Sequence, residues 1–431
     1  MKNVKVYMVG GAVRDLLLGK EPNDYDFVVV GSTPEEMLSM GYKCVGKDFP
    51  VFLHPNTKEE FALARTERKI GTGHKGFLCE WQGVTLLEDM SRRDLTINAM
   101  AIPVHNSILT DGKWIMAGDV IDYFEGQKDL ASKTLRHVSQ AFEEDPLRVL
   151  RLARFSSQLG EDWTVDFNTL GLCRTMFWDG KLNELTKERV WKETEKALGS
   201  GNFFRYIEML DLVGYLKVLF PFLIYAKCLR EKPEHHPEES LYEHIKLVVE
   251  MAERGNALPE EVLAALLHDS GKPECYYERG VAHGHDDIGA DINEAWCRKW
   301  KVPNNYRELA VLVAKYHTKV HGVLGKGKNK ASKAKSIMNL FQDTGAEKNQ
   351  ERFEHLVNVC SDDAKGRGAP LWNQPYPQRE YLLKCLDAVL EVDTKSISTK
   401  LLQDGKSGII IGEQIRVAKI DAIRGVQREW M

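Results

Sequence analysis

The sequence predicts an α+β protein with an α/β head at the N-terminus and a long helical remainder. Residues 1 to about 135 mix short β-like runs, such as VKVYMVG, YDFVVVG and NAMAIPV, with turns rich in Gly and Asp. After Glu143 almost the whole chain shows helical periodicity instead. With 431 residues the chain is too long for one ordinary hydrophobic core. We therefore expect several domains, with breaks near residue 138, at 231–240 and at 366–378.

Composition indicates an ordinary globular protein, since 43% of the residues are hydrophobic and 28% are charged. No stretch approaches the roughly 18 apolar residues of a membrane span, and the N-terminus lacks the pattern of a signal peptide. The eight cysteines are scattered without a CxxC pair, which is typical of reduced thiols. We expect a cytoplasmic protein with no membrane partner. Its net charge of −4 means that any binding of nucleic acid must use local basic patches.

The segment VYMVGGAVRDLLLG predicts a strand, a Gly-Gly turn and a short helix that ends at Gly19. The backbone N–H groups of Gly10 and Gly11 could face an anion where this helix begins. Two glycines at such a position are more often explained by turn geometry alone. No third glycine completes the GxGxxG motif of dinucleotide-binding proteins. Phosphate binding is therefore one of two interpretations of this turn.

Two aspartates one residue apart begin the next β-like run, NDYDFVVVG. In an extended strand Asp24 and Asp26 would share a face, about 6.5 Å apart, where like charges repel unless a cation lies between them. An isolated pair of this kind more often marks a turn. Here the pair leads into an apolar strand, and Glu60 begins another such run, EFALAR. Three carboxylates beside a phosphate-friendly turn indicate a site for Mg²⁺ and a nucleoside triphosphate, with two-metal phosphoryl transfer as its chemistry.

Two further segments combine acidic and basic residues. SRRDLTINAMA places Arg93 before an apolar run, and FEEDPLRVLRLARF places Asp145 before Pro146. Capping of the following helix could by itself explain this aspartate. The arginines of the second segment recur every three residues, and no acid follows within the next turn, so they should repel one another unless they face a triphosphate or a base edge. They are Arg148, Arg151 and Arg154.

In their order and spacing, these motifs resemble those of the class II tRNA nucleotidyltransferases, the CCA-adding enzymes, in the bacterial form with an added HD domain. The set consists of VGGAVRDLLLG, NDYDF, EEFALARTER, RRDLTINAMA and EDPLRVLRLARF. The resemblance implies a polymerase-β-like nucleotidyltransferase head at 1–137, a helical neck and body at 138–230, an HD phosphohydrolase domain at 231–368 and a helical tail at 369–431. In one departure from the related sequences, IDYFEGQKDL lacks the proline of an Asp-Pro-Tyr turn.

The resemblance also implies the activity, which is addition and repair of the 3′-terminal CCA of tRNA from CTP and ATP without a nucleic-acid template. Asp24 and Asp26 would hold the catalytic Mg²⁺, with Glu60 as the third carboxylate. Asp145 and Arg148 would read the Watson–Crick edges of CTP and ATP. The residues expected to bind or support the nucleotide are Gly11, Arg14, Arg93, Asp145, Arg148, Arg151 and Arg154. The active species would be a monomer or a homodimer.

The helical half carries a second set of candidate residues. A lone histidine on such a helix is usually an ordinary surface or core residue, but LAALLHDSGK places an adjacent His-Asp pair at the end of an apolar helix. With histidines before and after it, this pair matches the HD phosphohydrolase pattern. The set is His244, His268, Asp269, His285, His317 and Asp363. It implies a divalent transition metal, Ni²⁺, Co²⁺ or Mn²⁺, that activates water for phosphatase, 2′-nucleotidase or 2′,3′-cyclic phosphodiesterase activity.

Two alternatives to CCA addition are compatible with these motifs. A poly(A) polymerase of the same superfamily would share every head carboxylate, although the continuous bacterial pattern with an HD domain favours CCA addition. The second alternative is a tRNA-binding or HD-hydrolase protein with an inactive head. The intact pair Asp24 and Asp26 and the row of arginines in FEEDPLRVLRLARF argue against it. GKGKNKASKAK at 325–335 is a basic stretch that we expect to form a loop of unassigned role.

Overall fold

The computed structural model describes residues 4–45, 51–69, 77–110, 113–116, 118–230, 240–325, 331–368 and 371–430. The chain divides into two compact units. The first contains Met1–Thr194 and Arg205–Tyr215, and the second contains Glu195–Phe204 and Leu216–Met431. Most of the predicted break at 231–240, and residues 326–330 of the predicted basic loop, lie outside the described residues. The boundaries of the four predicted domains stay predictions.

The described part of the first unit contains a mixed main sheet, two two-stranded sheets and helices. Its strands are β1 (Lys5–Val9), β2 (Asp26–Val30), β3 (Lys43–Val45), β4 (Val51–Leu53), β5 (Glu60–Leu63), β6 (Thr66–Lys69), β7 (Phe77–Glu80), β8 (Met100–Thr110), β9 (Lys113–Met116), β10 (Ile121–Asp122), β11 (Thr134–Leu135) and β12 (Thr164–Val165). Its helices are α1 (Gly11–Leu17), α2 (Pro34–Ser39), α3 (Leu86–Ser91), α4 (Gly126–Ala131), α5 (Leu147–Leu159) and α6 (Phe167–Trp178), and α7 (Lys187–Leu198) and α8 (Phe203–Val213) each run across a division between the units.

The main sheet has the order β10-β8-β1-β2-β5-β4-β3, and β9 pairs with β8. The two-stranded sheets pair β6 with β7 and β11 with β12. Strands β2 and β5 are parallel, and their register places Asp26 opposite Glu60. Alternate residues of β2 face opposite sides of the sheet, so Phe27 packs in one core and Val28 in the other. Phe27 stacks on Phe61 of the neighbouring strand with ring centroids 4.5 Å apart. This apolar packing fixes the register and therefore the position of the two acids.

The second unit is helical in its described residues. Its remaining helices are α9 (Leu216–Leu219), α10 (Pro221–Ala226), α11 (Leu241–Arg254), α12 (Pro259–Leu267), α13 (Lys272–Arg279), α14 (His285–Trp300), α15 (Asn304–His321), α16 (Ala334–Thr344), α17 (Gln350–Lys365), α18 (Pro377–Leu390), α19 (Thr394–Gln403) and α20 (Gly408–Trp430). Large aromatic side chains such as Trp300, Phe341 and Phe353 are almost completely buried in its core. Among the described helices, the structure has none with the length and apolar character required to span a membrane.

The structure confirms the predicted α+β class, with a sheet-containing head followed by helices. Helix α1 follows the Gly-Gly turn and ends just before Gly19, whose φ of +72° suits glycine. One local expectation is wrong: β2 begins at Asp26, so Asp24 lies in the bend before the strand and not within it. In the segment IDYFEGQKDL, which lacks the proline of the related sequences, Asp122 holds the turn. Its carboxylate accepts hydrogen bonds from the N–H groups of Gly126 and Gln127, both at 2.9 Å.

Candidate functional site

A pocket of about 540 Å³ opens in the first unit, beside the start of β2. It brings together residues that are as much as 180 positions apart in the sequence, from Val9 before the Gly-Gly turn to Arg189 on α7. The predicted site residues that line it are Gly11, Arg14, Asp26, Glu60, Arg93, Asp145, Arg148 and Arg151. Asp24 is exposed in the bend before β2. Arg154 is buried and is not among the lining residues.

The acidic edge of the pocket is formed by neighbouring strands. Asp26 and Glu60 are the first residues of β2 and β5 and are paired in register, at an interstrand spacing of about 4.8 Å. Partial burial of the carboxylate raises the pKa of Asp26, Arg93 opposes this shift, and the negative charge of Asp24 adds to it. Burial and the neighbouring Asp24 thus both disfavour the ionised form of Asp26, which a bound cation would favour. Oxygen donors with excess negative charge suit a hard cation such as Mg²⁺, so the acids fit the implied metal.

Arg93 lies against the Gly-Gly turn, next to these acids. A Cβ atom at Gly10, which has a φ of +72°, would lie 3.2 Å from Arg93 Nη1 and 4.0 Å from Asp26 Oδ2, so glycine leaves room for the guanidinium. Arg93 Nη2 is 3.4 Å from Asp89. Its Nε is buried and has no hydrogen-bond partner among the described residues. The two terminal nitrogens carry four N–H groups, and their contacts with Asn98 and Asp89 leave donors for an anion in the pocket.

Asp145 is fixed at the start of α5 by two hydrogen bonds. Its Oδ1 accepts from the N–H of Leu147 at 3.1 Å, as expected for a residue at a helix start. Its Oδ2 accepts from Arg189 Nη2 of α7 at 2.8 Å. Arg189 also lines the pocket, although it lies in no motif that would distinguish it from the other charged residues of its helix. The carboxylate is thus oriented from two sides.

Arg148 is held by backbone oxygens. Its two terminal nitrogens donate to the carbonyl groups of Ala141 at 2.5 Å and Arg92 at 2.6 Å. Because a guanidinium carries five N–H donors in a fixed plane, these two bonds set its orientation and leave donors for a ligand. The structure therefore brings Asp145, an acceptor, and Arg148, a donor, to one wall of the pocket.

The other two arginines of α5 have acidic partners outside their own helix. Arg151 Nη2 is 2.7 Å from Asp94 Oδ2. Burial by itself would raise the pKa of Asp94, but the charge of Arg151, with hydrogen bonds from Leu95 and Asn98, lowers it to about 2. Acidic residues from other elements therefore reduce the expected repulsion among the arginines of α5, even before a ligand binds.

Arg154 also pairs with an acidic residue of another helix, and this pair is buried. Its Nε donates to Glu193 at 2.6 Å, and both side chains are buried. The guanidinium lies over the ring of Phe155, 4.1 Å from its centroid. Since Phe155 lines the pocket, Arg154 supports the pocket wall from behind.

The six predicted HD residues lie together in the second unit, and all of them are buried. His268 and Asp269 directly follow α12, and the ring nitrogen His268 Nε2 is 3.3 Å from His244 Nε2 of α11. Helix α14 begins with His285, whose Nε2 is 3.3 Å from His317 Nε2 of α15. Asp363 of α17 completes the set. His283, two residues before His285, is exposed and stays outside it.

Three neighbours of this cluster were not predicted. Lys272 Nζ is 2.7 Å from Asp269 Oδ2, His321 Nε2 is 2.6 Å from Asp363 Oδ2, and the hydroxyl of Tyr376 is 2.8 Å from His321 Nδ1. Sequence signals existed for two of them: Lys272 follows the His-Asp pair by three residues, and His321 lies one helical turn after His317. Tyr376 lies outside any motif of the sequence, and only the fold brings it to the site.

The sheet and its acidic pocket define a polymerase-β-like nucleotidyltransferase head. Residues 6–136 match the family model described as "Poly A polymerase head domain", and residues 164–227 match the model described as "Probable RNA and SrmB- binding site of polymerase A". Solved structures share the fold. A CCA-adding enzyme with ATP is 23% identical with a TM-score of 0.60, covering 98% of this chain and 86% of that one. A tRNA nucleotidyltransferase complexed with a primer tRNA and an incoming ATP analog is 24% identical with a TM-score of 0.54, covering 83% and 91%.

Curated relatives match over nearly the whole length. The multifunctional CCA protein of Dechloromonas aromatica (strain RCB) is 42% identical over 424 residues, which are 98% of this chain and 97% of the relative. That of Thioalkalivibrio sulfidiphilus (strain HL-EbGR7) is 40% identical over 430 residues, or 99% and 100%. The chain belongs to the family of multifunctional CCA proteins. The resemblance seen in the sequence motifs is thereby confirmed.

Proposed function

We propose that this chain adds and repairs the 3′-terminal CCA of tRNA from CTP and ATP without a nucleic-acid template. The observation that carries the proposal is the pocket that joins the acids of the sheet edge to Asp145 and Arg148 on α5. A site for phosphoryl transfer and a pair of hydrogen-bonding side chains for a base would then share one cavity. Full-length similarity to the multifunctional CCA proteins supports the same conclusion.

Asp24, Asp26 and Glu60 would hold Mg²⁺ at the acidic edge. When bound, divalent ions activate the attacking oxygen and stabilise the leaving pyrophosphate, and two of them serve this purpose in two-metal phosphoryl transfer. The chain itself supplies the carboxylates in fixed register and the nearby positive charges. Arg93 and Arg14, with the backbone of Gly11, face the space where the triphosphate would lie. Arg14 is oriented for this by a 2.9 Å hydrogen bond from its Nη1 to Asn98.

Asp145 and Arg148 would select the base. Cytosine and adenine each present an amino donor beside a ring-nitrogen acceptor, whereas uracil and guanine present a carbonyl acceptor beside an N–H donor. A carboxylate accepts and a guanidinium donates, so this pair matches CTP and ATP and opposes UTP and GTP. Arg151 and Arg154 would support this wall through Asp94, Glu193 and the ring of Phe155.

Incubation with tRNA that ends at the discriminator base, Mg²⁺ and labelled CTP and ATP tests this proposal, with sequencing of the added ends. We expect C, C and then A. Asp26→Ala should abolish incorporation while tRNA binding persists, because metal ligands contribute little to contacts with the RNA backbone. The name of the family model for the head favours a second candidate, a poly(A) polymerase. Long runs of A in the same assay would support that alternative and contradict CCA addition.

For the second unit we propose a metal-dependent phosphohydrolase that acts on phosphomonoesters and 2′,3′-cyclic phosphates. Its support is the buried set of imidazole and carboxylate ligands, which suits Ni²⁺, Co²⁺ or Mn²⁺. His268→Ala should eliminate hydrolysis of 2′,3′-cyclic AMP and leave CCA addition nearly intact. If the unmutated protein shows no metal-stimulated hydrolysis, this part of the proposal fails. Cytoplasmic location and a monomeric or homodimeric state stay predictions.

A further inference from the structure

Asp89 of α3 is a completely buried acid whose partners line the pocket of the first unit, although Asp89 itself does not. Its Oδ1 accepts a hydrogen bond from Arg92 Nη2 at 2.7 Å, and its Oδ2 accepts one from Arg93 Nη2 at 3.4 Å. Each oxygen therefore binds a different guanidinium group. The acid separates two neighbouring positive charges that would repel each other without it.

Asp89 and Arg92 are anchored to the backbone just beyond β5. The N–H of Arg65 donates to Asp89 Oδ1 at 3.3 Å, and Arg92 Nε donates to the carbonyl oxygen of Arg65 at 2.9 Å. Because Oδ1 has two donors and a carboxylate is planar and rigid, Oδ2 also has a fixed position. It is directed at Arg93.

Arg93 faces the pocket with the other end of its guanidinium group. Its Nη1 is 3.5 Å from the carbonyl oxygen of Asn98 and lies against the Gly-Gly turn. The side chain of Arg93 is 21% exposed, whereas that of Asp89 is 1% exposed. An arginine recognises phosphate through N–H groups held in one plane, so a buried acid that fixes this plane prepares it for a triphosphate.

The balance of charge explains why the site tolerates an acid close to a triphosphate. Burial lowers the pKa of Arg93, and the charge of Asp89 is the strongest effect that opposes this decrease. Burial by itself would raise the pKa of Asp89, but Arg92 and Arg93 lower it, so the acid is ionised at neutral pH. Two arginines and one acid have a net charge of +1, which still attracts an anion.

We propose that Asp89 is a positioning residue for nucleotidyl transfer, which holds the guanidinium group of Arg93 in place for the triphosphate of CTP or ATP. The inference rests on the CCA-adding function proposed above. A role in tying α3 to the sheet would account for the contacts of Asp89 with Arg65 and Arg92. It does not account for the contact with Arg93, which lines the pocket.

Nucleotide binding to the full-length protein without tRNA tests the inference, because no primer is then present to react. Asp89→Asn keeps the size of the side chain and removes its charge. Titration calorimetry with CTP and Mg²⁺ should show an affinity about 10-fold lower, as the loss of one charge-assisted hydrogen bond implies. In the incorporation assay, the KM for CTP and for UTP should rise by the same factor, so discrimination between the bases is unchanged. Glu88→Gln neutralises an exposed acid of the same helix and is the matched control, which should bind CTP normally.

A double-mutant cycle shows whether Asp89 acts through Arg93. In protein that carries Arg93→Ala, Asp89→Asn should have almost no further effect on the affinity for CTP. A merely structural acid would lower this affinity by the same factor in both backgrounds. Equal losses in the two backgrounds, or an unchanged affinity in Asp89→Asn alone, overturn the inference.

A second variant covers the case in which Asp89→Asn does not fold. Asp89→Glu keeps the charge and displaces the carboxylate by one methylene group, and we expect a loss of affinity for CTP here too. Unchanged affinity in Asp89→Glu, or failure of both variants to fold, would assign Asp89 to structure alone and overturn the inference. Failure of the proposed function is a separate result, in which the unmutated protein would not add C or A to tRNA.

Discussion

Replacement of Arg189 by alanine should relax the choice of nucleotide. The change removes the 2.8 Å hydrogen bond to Asp145 Oδ2, so that among the described residues the N–H of Leu147 alone still binds the carboxylate. A hydrogen bond between charged groups contributes about 1.5–3 kcal/mol. The two side chains are 29% and 30% exposed, so we reduce this to about 1–2 kcal/mol for solvent screening. At about 1.4 kcal/mol for each factor of ten, discrimination against UTP should fall by about 5- to 30-fold.

The measurement is kcat/KM for CTP and for UTP on a tRNA that lacks CCA. Arg189→Lys, which keeps the positive charge, should recover part of the discrimination. Lys192→Ala alters an exposed residue of the same helix and serves as the matched control. If Arg189→Ala slowed CTP and UTP incorporation equally, Asp145 would not depend on Arg189 for reading the base, and the reasoning would be refuted.

Three further predictions concern substitutions in the first unit. Glu60→Gln should lower CTP and ATP incorporation by about 100-fold, because one negative ligand is lost, with tRNA affinity unchanged in a filter-binding assay; incorporation at the normal rate would exclude Glu60 from the metal site. Asp94→Asn should cost about 2 kcal/mol of unfolding free energy at pH 7, since its pKa of about 2 lies below the ordinary 3.8. This stabilisation exists above about pH 4 and disappears as the pH falls towards 2. The difference in unfolding free energy between the variant and the wild type, measured with urea, should therefore shrink over that range. A difference that stays constant would contradict a charge interaction of Asp94 as its cause. Gly126→Ala would place a Cβ atom 2.4 Å from the carbonyl oxygen of Thr96, and we expect a loss of about 1–3 kcal/mol, seen as a lower melting temperature; an unchanged melting temperature would show that the turn adapts.

Much of the fold could be predicted because its signals are local. The apolar runs around Tyr7 and Phe27 form strands, and the Gly-Gly turn leads into a short helix as its pattern indicates. The sequence predicts a start of β2 that is too early, because an aspartate in a bend and one at a strand start look the same in a sequence. Register could not be predicted from the sequence, since pairing of Asp26 with Glu60 depends on how Phe27 and Phe61 pack.

The sequence by itself determined which chemical groups the protein has for its function. Carboxylates suited to Mg²⁺, arginines suited to phosphate and a His-Asp pair suited to transition metals are properties of residue type and short spacing. Tertiary structure alone decided the partners. It placed Arg189 on Asp145, buried Arg154 against Glu193, and turned the two oxygens of Asp269 towards His268 and His285. The physical reason is that these contacts join helices distant in the chain, and packing of the apolar faces between them sets which charged groups meet.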